Sequence, residues 1–149
     1  MIAVSAQLRA VHQRLREAIE LARQSIDGDA DIPAGLDLLV YCRGFCAALE
    51  NHHKSEDAGL FPRILAERPD LKPVIEQLTR DHNMLDYLIA DFSSALASES
   101  DPETLHRHLD GIDAIMESHF GYEERRLLAV LEAVAPEEDP RDLLGDLAS

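Results

Sequence analysis

The sequence predicts an all-α protein, an up-down-up-down four-helix bundle. Three observations carry that reading. Gly, Pro and aromatic residues are sparse beside abundant Leu, Ala, Glu and Arg, a composition that favours helix. Apolar residues recur every three or four positions along four long segments. Short breaks separate those segments, and short connections between long helices make antiparallel neighbours. At 149 residues the chain is long enough for one core. The bundle is expected over 1–134, followed by an acidic tail, 135–149, that forms a short amphipathic turn or stays loose.

Each helix has its own seam. The first reads Leu8, His12, Leu15, Ile19, Ala22, Ile26, and the second Leu38, Cys42, Phe45, Leu49, His52, Glu56, Leu60. The third reads Leu71, Ile75, Leu78, His82, Leu85, Ile89, Phe92, Leu96, and the fourth Leu105, Leu109, Ile112, Met116, His119, Glu123, Leu127, Val130. A loop from Asp27 to Pro33 separates the first two. Pro62 is expected to kink or restart the second helix, and Glu67 to Asp70 form a tight turn. Ser98 to Pro102 is a loop ending in a helix start, with Asp101 as N-cap and Pro102 at the first helical position. The run from Ala135 to Pro140 stops the last helix.

A formal charge of −15 excludes nucleic acid and anionic membranes as partners, since both would repel the chain. No apolar run approaches the length of a membrane span. The N-terminus lacks a basic region before its brief apolar stretch and reads as mature sequence, so a cytoplasmic location is expected. Cys42 and Cys46 project in parallel from successive turns, a poor disulfide geometry, and read as small buried residues.

Six seam residues do not belong in an apolar core: His12, His52, Glu56, His82, His119 and Glu123. Burying one unpaired polar group costs roughly 2–7 kcal/mol. A domain's net stability is only about 5–15 kcal/mol. These groups must satisfy one another or share a cation. Counted from the predicted helix ends at about 1.5 Å of rise per residue, they fall within about one turn of a common layer. His52 to Glu56 and His119 to Glu123 repeat the spacing His-x-x-x-Glu, which puts imidazole and carboxylate on one face, one turn apart. The Glu-x-x-His order of ferritin-like di-iron bundles is absent from the seams, as is the His-Glu-x-x-His of zinc hydrolases. The off-seam histidines, His53, His106 and His108, read as surface residues.

The segments His52-His53-Lys54-Ser55-Glu56-Asp57-Ala58-Gly59-Leu60-Phe61-Pro62, Asp81-His82-Asn83-Met84-Leu85 and His119-Phe120-Gly121-Tyr122-Glu123-Glu124 resemble the hemerythrin-like, or HHE cation-binding, family. The resemblance runs from the first helix through Leu131, and Leu60-Phe61-Pro62 after the first His-x-x-x-Glu makes it specific. It implies a hemerythrin-like bundle with two iron ions in an oxo- or hydroxo-bridged centre. His12 and His52 would bind one ion, His82 and His119 the other, and Glu56 and Glu123 would bridge them.

The pattern matches a four-histidine subgroup. Oxygen carriers of the family have a fifth histidine, from a His-x-x-x-His pair on the third helix, where this chain has Leu78 and Asp86 at the flanking positions. Of about twelve coordination positions on two ions, about two are then open, against one in a carrier. On that count the ion on His82 and His119, facing Leu78, is the reactive one. Whether Asp86, His53, Tyr41 or Tyr122 fills a gap is left open by the sequence.

The neighbours of these residues are Leu8, Leu15, Ala48, Leu49, Leu78, Leu85, Met116 and Phe120. Such a lining suits O2, NO or H2O2 better than a charged metabolite. The expectation is a small-oxidant-reactive di-iron protein with an oxidoreductase or detoxifying role and no catalytic residue assigned. The competing readings are an O2 or iron sensor or store acting through a partner, and a bundle with structural zinc. Histidine and carboxylate donors without thiolate suit iron better than structural zinc.

Overall fold

The computed structural model describes residues 4–28, 38–133 and 140–148. The loop from Asp29 to Pro33, the side chain of Leu38 and the stop from Ala135 to Asp139 lie outside the described residues. Four long helical rods form the bundle: α1 (Val4–Asp27), a second rod built of α2 (Leu38–Ser55), a π-turn (Glu56–Leu60) and α3 (Phe61–Glu67), then α4 (Lys72–Ala97) and α5 (Pro102–Ala133). A short sixth helix, α6 (Pro140–Leu144), follows. Helix α1 packs on α2 and α5, and α4 packs on α5 and α2, which closes a square of four. There is no strand among the described residues, and none of their helices is long and apolar enough to cross a membrane.

The seams point inward as their spacing requires. Every seam side chain described is buried except Val130, which is half-buried near the end of α5. The core also takes residues one step off the stripe, including Val11, Cys46, Val74 and Phe120. A helix in a four-membered bundle touches two neighbours, so its buried face is wider than a single stripe. Cys42 and Cys46 are buried free thiols, and burial pushes the Cys46 thiol up to about 12, out of reach of thiolate chemistry.

The breaks have local causes. Gly28, at φ +70°, ends α1 by turning its N–H onto the Ser25 carbonyl. A mid-helix proline donates no N–H and its ring clashes with the carbonyl four residues earlier. The π-turn immediately before Pro62 widens the rod there without breaking it, since Leu60 and Phe61 both keep helical dihedrals. Arg68, at φ −133° and ψ 73°, then makes the turn into α4. Asp101 caps α5 as the sequence predicts, its Oδ1 accepting the Thr104 N–H at 2.8 Å, with Pro102 the first helical residue.

Helix α4 ends in a six-residue reverse bonding pattern: the Ser100 N–H donates to the Ala95 carbonyl and the Glu99 N–H to that of Leu96. This places Glu99 at φ 53°, a left-handed conformation that glycine adopts without steric cost. Glu99→Gly is therefore expected to stabilise the protein by about 0.5–1 kcal/mol. Urea unfolding of the two metal-free chains checks this, and a lower midpoint for the glycine variant would contradict it.

Candidate metal centre

The six seam residues all come together at one level. His12, Glu56 and Glu123 are fully buried, and His52, His82 and His119 are 1% exposed. Together with His53, their donor atoms fall into two groups in which every atom lies within 4.8 Å of the others: His12, His52 and Glu123, and His53, Glu56, His82 and His119. The carboxylates span the groups. Glu123 turns Oε1 toward His12 Nε2 at 3.7 Å and Oε2 toward His119 Nε2 at 3.1 Å. Glu56 Oε1 lies 3.4 Å from His52 Nε2 and 3.2 Å from His82 Nε2.

His53 is the correction. The sequence reading put it on the surface, yet it is 2% exposed and belongs to the second group. Its ring stacks on His82, with centroids 3.9 Å apart and planes at 14°. Successive residues on a helix project about 100° apart. His52 and His53 thus border a site that is wider than one stripe, and His53 sits three positions before Glu56, a spacing that also shares a face. The other two off-seam histidines are half-buried, and His106 pairs with Asp27 at 2.7 Å.

Of the residues considered for a gap, His53 is in the centre, whereas Asp86 and Tyr122 are in neither group of donor atoms. Asp86 is exposed. Tyr122 is half-buried beneath the Arg126 guanidinium, 5.8 Å from its ring centroid. Leu78 is fully buried beside the site, but the third imidazole of that half comes from His53 across the bundle.

A second layer of carboxylates orients the imidazoles, and the sequence reading missed it. The His82 Nδ1–H donates to Asp57 Oδ1 at 2.9 Å, His119 Nδ1–H to Asp81 Oδ2 at 3.0 Å, and His12 Nδ1–H to Glu124 Oε2 at 3.3 Å. Each acid adjoins a centre residue in sequence but serves a histidine on a different helix: Asp57 follows Glu56, Asp81 precedes His82, and Glu124 follows Glu123. That adjacency was the available signal. Fixing the proton on Nδ1 leaves the Nε2 lone pair pointing inward. His82 Nε2 and His119 Nε2 then face each other at 3.1 Å, two lone pairs with a proton or a cation required between them. Aromatic rings pack behind the imidazoles: Phe120 stacks on His12 at 3.8 Å and Phe61 on His82 at 5.4 Å.

The inward atoms are short of partners. His12 Nε2, His52 Nε2, both nitrogens of His53 and all four carboxylate oxygens of Glu56 and Glu123 lack an aligned hydrogen bond. Burial pushes His52 down to about 3 and His53 well below the usual imidazole range, so both are neutral and free to donate lone pairs. Burial also lowers His12 and His119, but the carboxylates Glu123 and Glu124 beside the first, and Glu123 and Asp81 beside the second, outweigh it and leave both raised. Burial and the charge of Glu123 push Glu56 well above the ordinary carboxylate range. Glu123 is buried as deeply but is held well below that range by the neighbouring Glu56, His119 and His12 side chains, which favour its charged form. A site built of imidazoles and two carboxylates that share space fits a divalent or trivalent cation, with nitrogen and oxygen donors that suit iron.

A bundle of this architecture with a buried histidine and carboxylate layer defines a hemerythrin-like metal-binding protein. The description "Hemerythrin HHE cation binding domain" matches residues 3–131, and the chain belongs to that family. No curated protein and no solved structure matches the chain.

In the metal-free protein Glu56 takes up a proton on folding. Its contribution to stability is present at low pH and is lost as pH rises from the ordinary carboxylate range through the raised value. Glu56→Gln should therefore stabilise the metal-free chain near neutral pH by about 1–3 kcal/mol, flatten that decline, and weaken metal uptake. Urea titrations with chelator across a pH series read the first two effects and elemental analysis the third. A glutamine variant less stable than the parent at neutral pH would refute the assignment of Glu56 as the strained partner.

Proposed function

We propose that this chain is a non-haem di-iron protein that reacts with small oxidants (O2, H2O2 or NO) in an oxidoreductase or detoxifying role. His12 and His52 would hold one ion, and His53, His82 and His119 the other, with Glu56 and Glu123 placed between the two groups. The observation that carries the reading is the set of buried imidazole nitrogens and carboxylate oxygens without aligned hydrogen bonds, on groups whose isolated burial would cost more than a domain's whole stability. The iron supplies redox chemistry and open coordination positions when bound.

The protein's own residues do the rest. Asp57, Asp81 and Glu124 hold protons on Nδ1 of His82, His119 and His12. Fully buried Leu8, Leu15, Leu49, Leu85, Met116 and Phe120 exclude water and charged metabolites. With His53 counted, five imidazoles and two bridging carboxylates leave about one open position instead of two. That position would fall on the half with fewer protein donors, the side of His12 and His52, and not on the side facing Leu78 as the four-histidine count implied.

The same fifth imidazole supports a second reading, a protein that binds O2 reversibly as a sensor or store, because it brings the donor count to that of the family's oxygen carriers. Turnover of hydrogen peroxide measured beside reversible O2 binding separates the two readings.

Iron-replete protein is expected to contain two irons per chain and to absorb in the near ultraviolet through ligand-to-iron charge transfer. His12→Ala, Glu56→Ala and Glu123→Ala should each lower the metal content, and His53→Ala should weaken binding at least about tenfold, whereas Asp86→Ala should leave it unchanged. Elemental analysis and optical spectra decide. A colourless protein with only stoichiometric zinc would sink the iron assignment, and unchanged iron content in His53→Ala would remove that residue from the centre.

A further inference from the structure

We propose that residues 140–148 form a strap that completes the metal centre, with the Leu144 backbone carbonyl fixing His52 in the tautomer that presents Nε2 to the metal. This rests on the di-iron reading above. The strap lies beyond residues 3–131, the part of the chain that matches the family. It is a positioning element outside the matched bundle.

The contact is direct. His52 Nδ1–H donates to the Leu144 carbonyl at 2.6 Å, in a buried position. Of the histidines in the two groups, His12, His82 and His119 have a carboxylate in this place, and His53 has no hydrogen-bond partner at either nitrogen. His52 alone depends on a peptide carbonyl from the strap. With its proton held on Nδ1, the lone pair sits on Nε2, which faces Glu56 Oε1 at 3.4 Å. The strap thereby serves the half of the centre that has fewer protein donors.

The docking is specific to backbone shape. Gly145 has φ +99°, and a Cβ there would come within 2.6 Å of Asn51 Oδ1 and 3.1 Å of His52 Cα. Gly59, in the π-turn, receives the strap from below, since a Cβ on it would overlap the Asp142 carbonyl oxygen. A glycine at each of these two contacts, one on the rod and one on the strap, allows the backbones to approach where side chains would hold them apart. Asn51 Oδ1 accepts the Asp146 N–H at 2.8 Å, and Arg14 donates to the Leu147 carbonyl. Leu143, Leu144 and Ala148 are at most 2% exposed, so the strap is anchored by apolar burial as well. The π-turn has a role in this arrangement: it carries both Glu56, which faces the metal site, and Gly59, which seats the strap.

The strap therefore controls one imidazole without touching the metal. Neutral imidazole in water favours the proton on Nε2, the nitrogen the centre needs bare, so loss of the carbonyl should release His52 to the wrong tautomer. Two variants test this: a chain ending at Asp139, and Gly145→Ala, with Asp146→Ala as a control that keeps the backbone contact. In metal-free protein, nitrogen-15 NMR of His52 should report Nδ1–H in the parent and the control, and loss of that signature in both variants. Metal titration should show one of two ions weakened about 10- to 100-fold in the variants, with the other retained. Far-UV circular dichroism establishes that the bundle is folded. If the shortened chain does not fold, Gly145→Ala decides alone. A folded variant that keeps the Nδ1–H signature and both affinities overturns the proposal. Because the tautomer is read without metal, failure of the di-iron reading would show separately, as a parent chain that takes up no iron.

Discussion

The removal of five imidazoles and two carboxylates from water into one layer of an apolar bundle is the constraint around which the rest of this protein is arranged. Nothing in the apolar surroundings can replace the lost hydration. The carboxylates Glu56 and Glu123 cannot both ionise comfortably side by side, and their opposite displacements in acidity express that conflict. A bound cation resolves it, because it accepts the inward lone pairs and neutralises both carboxylates at once. The energy of metal binding is then linked to the energy of folding. The bundle must be stable enough elsewhere to hold the layer together while it is empty. The long seams of leucine, isoleucine and phenylalanine on either side of it supply that stability.

The second constraint is orientation. An imidazole is a useful donor only if its proton is on the outer nitrogen and its ring points inward. Here three histidines are set by carboxylates that lie next to centre residues in sequence but reach across to another helix. The bundle is therefore stitched through its own metal site: moving one helix misplaces the partner of a histidine on another. Asp57 is the clearest case. It follows Glu56 on the second rod, yet its carboxylate meets His82 on α4. This arrangement ties helix packing to donor geometry without adding any charge to the inner layer.

The halves of the centre are not equivalent. One is rich in imidazole, with His53 stacked on His82. The other has two histidines, one backed by Glu124 and the other by a neutral peptide carbonyl. On the di-iron reading proposed above, such an asymmetric donor set would leave the exchangeable position on one side of the centre. The aromatic packing follows the same division, with Phe120 against His12 on one side and Phe61 against His82 on the other.

The helices, their seams, the Asp101 cap and an irregularity near Pro62 were legible in the sequence because each depends on local spacing, on one capping residue or on one missing N–H. Six of the seven polar residues in the layer were legible for the same reason: they interrupt an apolar stripe of known period. His53 was not, because a stripe is a projection onto one line, whereas a site enclosed by four helices admits residues from a wider arc. Asp57, Asp81 and Glu124 interrupt no apolar stripe, and their partners lie at distant positions in the chain. The tail gave only an acidic, faintly amphipathic pattern. Its role in holding His52 depends on two close approaches, Gly59 against the Asp142 backbone and Gly145 against Asn51 and His52. Sequence determined which residues could not tolerate water or oil alone. Only the tertiary structure decided which of them share a neighbour, because distances between helices, unlike periodicity within one, are set by packing.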